Sequence, residues 1–186
     1  MARLPYANPD TEKTRALANR IISERGSVLH LYRMLLHSPP LAEGWLAFLT
    51  AVRQRLNLEG ALRELVIMRV AVLNGASYEA DQHAPIARKE GVSQAQLDAL
   101  PHWASADVFT PLQRAALALT DAMTRDVHVG DAVLGAVRQH LSEQETVELV
   151  ATIAAYNMVS RFLEALAIHR DDPIGVDARG VREGPE

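Results

Sequence analysis

Residues 63–83 read R-E-L-V-I-M-R-V-A-V-L-N-G-A-S-Y-E-A-D-Q-H. The first part is an almost wholly apolar helical run from about Glu59 to Leu73, apolar on several faces and so expected at the centre of the fold. Asn74-Gly75 ends it, because glycine tolerates the left-handed conformation that closes a helix. A second helix starts almost at once, with Ser77 as its predicted N-cap and Gly91 as its end. The stretch reduces to Glu-x₁₄-Glu-x-x-x-His, and the tight connection predicts that Glu64, Glu79 and His83 meet in one pocket. Glu79 and His83 are four apart and share a helix face.

Outward from this hairpin the helical signals continue and no alternating strand pattern is found. Asn8-Pro9 predicts a helix start and Gly26 its stop. Val28, Leu31, Tyr32, Leu35 and Leu36 form an amphipathic stripe closed by Ser38-Pro39-Pro40. Leu41, Trp45, Phe48, Leu49, Val52 and Leu56 form another. Three later starts carry capping boxes, Ser93 with Gln96, Thr110 with Gln113, and Ser142 with Glu145. A short helix is predicted from Asp131 to His140, and a long one from Ser142 to about Ile168, its apolar positions including Val147, Val150, Ile153, Ala154, Met158 and Phe162. The fold class is therefore all-α, one domain over residues 1–170, with a Gly-, Pro- and charge-rich tail over 171–186.

Composition limits the function. The chain has 186 residues, 48% of them apolar, enough to bury a sizeable core. A net charge of −4 with no basic block disfavours nucleic-acid binding. No apolar run reaches the length of a membrane span, and the N-terminus lacks an apolar signal core, so a soluble cytoplasmic protein is the default expectation. There is no cysteine, which leaves proton chemistry rather than thiol chemistry.

Each candidate has two readings. Glu64 opens an apolar run, where burial would raise its pKa; otherwise it is a first-turn glutamate that stabilises the helix end. Glu79 in a first turn is expected as an anion, favoured by the helix dipole, and as the partner that makes His83 a proton donor. Alternatively Glu79 and His83 form an ordinary solvated pair. Pro85 leaves the Asp81 carbonyl without its helical donor, which marks either a local constraint or a simple kink. Tyr78 orients a substrate or packs. Arg69, Asn157 and Arg161 are candidates for holding a substrate carboxylate, the arginines through their planar fork, or else for structural pairing. His30 and His37 lie seven apart with no further ligands at metal spacing, and Glu79 with His83 lacks a third ligand, so no metal is expected. No phosphate loop and no nucleophile elbow is present.

The stretch R-E-L-V-I-M-R-V-A-V-L-N-G-A-S-Y-E-A-D-Q-H-A-P-I-A resembles the carboxymuconolactone decarboxylase family, which is related to alkylhydroperoxidase D. The later E-T-V-E-L-V-A-T-I-A-A-Y-N-M-V-S-R-F is similar to that family's C-terminal helix. The resemblance spans Leu29 to Ile168. It implies an all-α fold and a homotrimer, or a hexamer of two trimers. The peroxidase branch carries Cys-x-x-Cys-x-x-x-His with an upstream Glu. On this chain the Glu falls on Glu64, the His on His83, and the two cysteines on Ala76 and Glu79, so thiol-based peroxide reduction is not expected. The decarboxylase branch shows Glu-x-x-x-His, which matches Glu79 and His83. It differs after the histidine, where this chain reads Ala84-Pro85-Ile86-Ala87. The resemblance implies a cofactor-free lyase acting by proton transfer on a small unsaturated lactone or carboxylic acid. Another proton-transfer enzyme, an isomerase or hydrolase, and a non-catalytic small-ligand-binding oligomer remain open.

Overall fold

The structure is a computed structural model that describes residues 1–174. Among the described residues there are nine α-helices, one 3-10 stretch and no strand, as the all-α reading expects. They group into two compact units, Met1–Gln54 with the chain from Ala165 onward, and Arg55–Glu164.

The first unit holds α1 (Arg15–Arg25), α2 (His30–Leu35) and α3 (Pro39–Gln54). Helix α1 starts later than Asn8-Pro9 predicts. Asn8 spends its side-chain oxygen on a turn, accepting from the Asp10 amide at 2.8 Å, and the Thr14 hydroxyl donates to the Asn8 carbonyl at 2.9 Å. Gly26 does end α1, in the left-handed conformation at φ 81°. On α3 the buried face is Ala42, Trp45, Leu46, Leu49 and Val52, leaving Leu41 and Phe48 exposed. Asp172 falls in the predicted tail but is buried and holds both ends of this unit together. It accepts from the Tyr6 hydroxyl at 2.6 Å and from the amides of Ala2 and His169. Those donors outweigh the cost of burial and bring its pKa down to about 2. Residues 175–186, the rest of that predicted tail, lie outside the described residues.

The second unit is built on α4 (Gly60–Asn74), where every residue from Leu62 to Ala71 is buried. It packs against α5 (Ser77–Lys89), α7 (Pro111–Arg125) and the 3-10 stretch Leu100–Ser105, which follows α6 (Gln94–Ala99). Leu65 and Met68 of α4 meet Ala87, Val92, Leu100, Phe109 and Leu117 in one apolar cluster. Gly75, at φ 66°, turns the chain back. Only Ala76 then separates the helices, so Ser77 is already the first residue of α5 and not its cap. The boxes at Ser93 and Thr110 form in full, and Ser142 and Glu145 exchange the same reciprocal bonds at 2.9 and 3.2 Å.

Helix α8 (Asp131–Arg138) precedes α9 (Glu143–Leu166). By length and composition α9 does qualify as a membrane span, contrary to the reading of apolar runs, yet half of that stretch is buried inside the chain, as a core helix would be. Of its apolar positions only some turn inward. Leu149, Ile153, Tyr156, Val159 and Leu163 are buried along with Thr152, Asn157 and Ser160, while Val147, Ala154 and Met158 face outward. Both faces are apolar enough to fit the periodicity, and the inward polar groups are tolerated because each is hydrogen-bonded. Thr152 donates to the Glu148 carbonyl, and Ser160 donates to the Tyr156 carbonyl.

Two non-glycine residues, Ala167 at φ 50° and Val127, adopt the left-handed conformation, and the β-branched one is the more strained. Val127, just past α7, sits at φ 65° and is 73% exposed. A β-branched residue there is a genuine outlier, since the left-handed region costs roughly 1–2 kcal/mol for a residue with a Cβ. Part of the relief is cancelled by the greater freedom of glycine in the unfolded chain. Val127→Gly is therefore expected to stabilise the protein by about 0.5–1 kcal/mol. Urea unfolding of the two proteins checks this, and an unchanged or lower midpoint would count against the strain.

Candidate active site

The α4–α5 hairpin brings two of the three predicted groups into direct contact. Glu64 lies one turn inside α4, not in its first turn, and is 0% exposed. His83 on α5 is 6% exposed, and its Nδ1 lies 2.7 Å from Glu64 Oε2. Arg63 Nε donates to the other oxygen, Oε1, at 3.2 Å. Burial alone would push the Glu64 carboxyl up. The His83 hydrogen bond and the attraction of His83 and Arg63 outweigh it, so the pKa is lowered, not raised as burial in an apolar run suggested. A carboxylate can only accept, so Nδ1 carries the hydrogen and donates to it. That fixes the tautomer and assigns Nε2 as the nitrogen for proton exchange. The ring stands edge-on to Tyr156 of α9, centroids 4.9 Å apart at 89°.

Glu79 takes the opposite state. It is 2% exposed, and neither carboxyl oxygen has a hydrogen-bond partner among the described residues. Burial, with a smaller contribution from repulsion by Glu164, pushes its pKa well above the ordinary range. The first-turn dipole, worth about 0.3–1 kcal/mol, is too small to oppose this. The expectation that Glu79 is anionic and orients His83 is thus corrected: Glu64 is bonded to the imidazole, and burial shifts Glu79 toward its protonated form. Pro85 and Asp81 both lie on the exposed side of α5, so the hydrogen bond lost at the proline faces water.

The predicted substrate-binding residues are mostly committed elsewhere. Arg69 is buried and grips Asp121 with both branches of its fork, at 2.7 and 2.8 Å, while also donating to the Leu100 carbonyl at 2.8 Å. Trp103 donates to the same Asp121 at 3.3 Å. Asn157 accepts from Asn74 at 3.1 Å and donates to Thr124 at 2.9 Å and to the Ile153 carbonyl at 3.0 Å. Arg161 is exposed and donates to Asn157 Oδ1 at 2.8 Å. These three hold α4, α7 and α9 together. Tyr78 is buried beside Glu79 in sequence, at the start of α5. Among the described residues no group of three or more His, Asp or Glu side chains gathers into a metal-holding cluster. His30 and His37 instead face backbone carbonyls, those of Asp172 and Pro5, at 3.1 and 2.7 Å.

Sequence reasoning passed over Arg63, Glu90 and Gly60. Arg63 reaches Glu90 at 3.7 Å as well as Glu64. A Cβ on Gly60 would overlap the Glu90 carboxyl, so only glycine lets that group lie over the first turn of α4. The available signal was the Arg-Glu pair at the mouth of an apolar helix, where two adjacent opposite charges anticipate shared burial.

A model of the carboxymuconolactone decarboxylase family matches residues 39–122. The uncharacterized protein YdfG of Bacillus subtilis (strain 168) is 33% identical over 106 residues, 56% of this chain and 72% of that protein. The chain belongs to the carboxymuconolactone decarboxylase family. Solved structures support the fold. An alkylhydroperoxidase AhpD core, an uncharacterized peroxidase-related protein from Ralstonia eutropha JMP134, superposes with a TM-score of 0.78 at 20% identity, covering 98% of each chain. The putative antioxidant defence protein AhpD ATU0492 from Agrobacterium tumefaciens gives 0.69 at 24% identity, over 74% of this chain and 94% of that one. The debrominase Bmp8 in complex with 2,3,4-tribromopyrrole gives 0.73 at 18%, over 90% and 92%. This family member differs from a cysteine-dependent peroxidase in having no thiol at all.

The two glutamates have opposite pH signatures. A pKa raised in the folded state means that native protein keeps a proton the unfolded chain has released, so Glu79 costs stability as pH rises above the ordinary value of 4.5. A lowered pKa works the other way, so the Glu64 contribution is present above 4.5 and is lost as pH falls through the folded value. In urea unfolding across pH, Glu79→Gln is expected to gain on the wild type as pH rises. Glu64→Gln is expected to lose on it. Parallel profiles for all three proteins would contradict the assigned charge states.

Proposed function

We propose that this protein is a cofactor-free, thiol-free lyase that decarboxylates a small unsaturated lactone or carboxylic acid by proton transfer. The observation that carries the reading is the buried Glu79 carboxyl, shifted by burial toward its protonated form and without a hydrogen-bond partner among the described residues, four residues before an imidazole fixed by a carboxylate. Cleavage of the C–CO₂⁻ bond releases CO₂ and leaves an electron pair, which the unsaturated system takes up and places on its carbonyl oxygen. Neutral Glu79 donates a hydrogen bond to that oxygen, as a carboxylic acid kept protonated by burial can do near neutral pH. Protonated His83 keeps Nδ1–H on Glu64 and delivers the Nε2 proton to carbon, and solvent later restores it. Family membership supports the reaction class, and the absence of cysteine removes thiol peroxide reduction as the alternative.

A homo-oligomer belongs to the same proposal. Val147 at 67% exposure, with Ala154 and Met158 in line on one face of α9, supplies an apolar surface for another copy.

The test follows CO₂ release from a panel of unsaturated lactones and acids. His83→Ala is expected to lower turnover by ~10²–10⁴-fold, the usual worth of a general acid. Glu79→Leu is expected to lower it by ~10²–10³-fold, as for loss of an oxyanion donor. Glu79→Gln, which still donates, is expected to retain more activity than Glu79→Leu. Unimpaired turnover in both His83→Ala and Glu79→Leu would remove the proposed roles, and no CO₂ from any member of the panel would remove the reaction.

A further inference from the structure

The first unit contains a cleft of about 450 Å³, within the range of small-molecule sites. Asn8, Asp10, Arg15, Asn19, Ser27 and Arg33 supply its polar lining, and Ala18 and Ile22 part of its apolar wall. The two arginines differ. Arg15 is already neutralised by Asp10 at 2.6 Å. Arg33, in the last turn of α2, has no ion pair and no side-chain hydrogen bond to any described residue. Its Nε is sealed from water and unpartnered. A guanidinium stays charged in a protein, and Arg33 is half-buried in the cleft wall. Its backbone is spent within the fold, the amide donating to the Leu29 carbonyl at 3.0 Å and the carbonyl accepting from Ala7 at 3.2 Å, which leaves the side chain to the cleft.

We propose that this cleft is a second ligand site, separate from the hairpin, which takes a small carboxylate with an apolar body. The planar fork of Arg33 binds the carboxylate, Asn8 and Asn19 add polar contacts at its edge, and Ala18 and Ile22 receive the apolar part. An arginine fork accepts phosphate as readily as carboxylate. The apolar wall favours the carboxylate with a hydrocarbon body over a free inorganic ion.

The experiment titrates the full chain with benzoate, with its uncharged counterpart benzamide, and with inorganic phosphate, read by calorimetry. Benzoate is expected to bind saturably at one site per chain, at least tenfold more tightly than either benzamide or phosphate. Arg33→Gln is expected to weaken benzoate at least tenfold, while His83→Ala binds it as the wild type does. Should Arg33→Gln fail to fold, Asn19→Trp, at an exposed position in the cleft, fills the space and is expected to give the same loss. The proposal is overturned by any of four results: no saturable benzoate binding, tighter binding of phosphate, binding indifferent to both cleft substitutions, or binding lost in His83→Ala.

Discussion

Glu64 is an anion with no access to water, and it remains one because an imidazole and a guanidinium are both placed against it. The rest of the site depends on that arrangement. A buried carboxylate without partners would take up a proton, and His83 would lose the acceptor that sets its tautomer. The partners come from two helices joined by a single turn, so the geometry is set by the fold of one hairpin. Helix α4, buried over ten consecutive residues, keeps Glu64 away from solvent. The chemistry of the site is therefore a by-product of where the most apolar helix had to go.

The second glutamate makes the contrast. Glu64 and Glu79 are the same residue type, both almost wholly buried, yet their protonation equilibria move in opposite directions. Burial raises both; only Glu64 has donors to reverse it. A pair of groups pushed apart in this way is what an enzyme needs to hold an acid and a base side by side near neutral pH. In cysteine-bearing relatives of the kind the sequence resembles, the position of Glu79 belongs to a thiol. Here it belongs to a carboxyl group, beside a Glu64–His83 pair that holds no thiol.

Much of this was legible in the chain. The Asn74-Gly75 break locates the end of α4 and the three capping boxes the starts of α6, α7 and α9, because each depends on residues close in sequence. What could not be read depends on distant partners. The expected charge states of Glu64 and Glu79 were inverted, since the choice of which glutamate bonds His83 is made by the packing of α4 on α5, not by the four-residue spacing. Between holding a substrate and pairing structurally, the choice for Arg69 is made by Asp121, 52 residues away, which occupies its fork. The apolar positions of α9 did not by themselves fix its inward face: Ile153 is buried, whereas Val147, Ala154 and Met158 are exposed, because packing and not periodicity chooses between them.

Gly60 gives the hairpin a second closure. With Glu90 lying over the first turn of α4 and Arg63 reaching both it and Glu64, the segment between residues 60 and 90 is fastened at its open end as well as at its bend. The two acids compete for one guanidinium. Any side chain introduced at position 60 must push Glu90 aside, and Arg63 is then left to Glu64 alone. A steric change at the rim thus reaches, through Glu90, the guanidinium that is also paired with the buried Glu64.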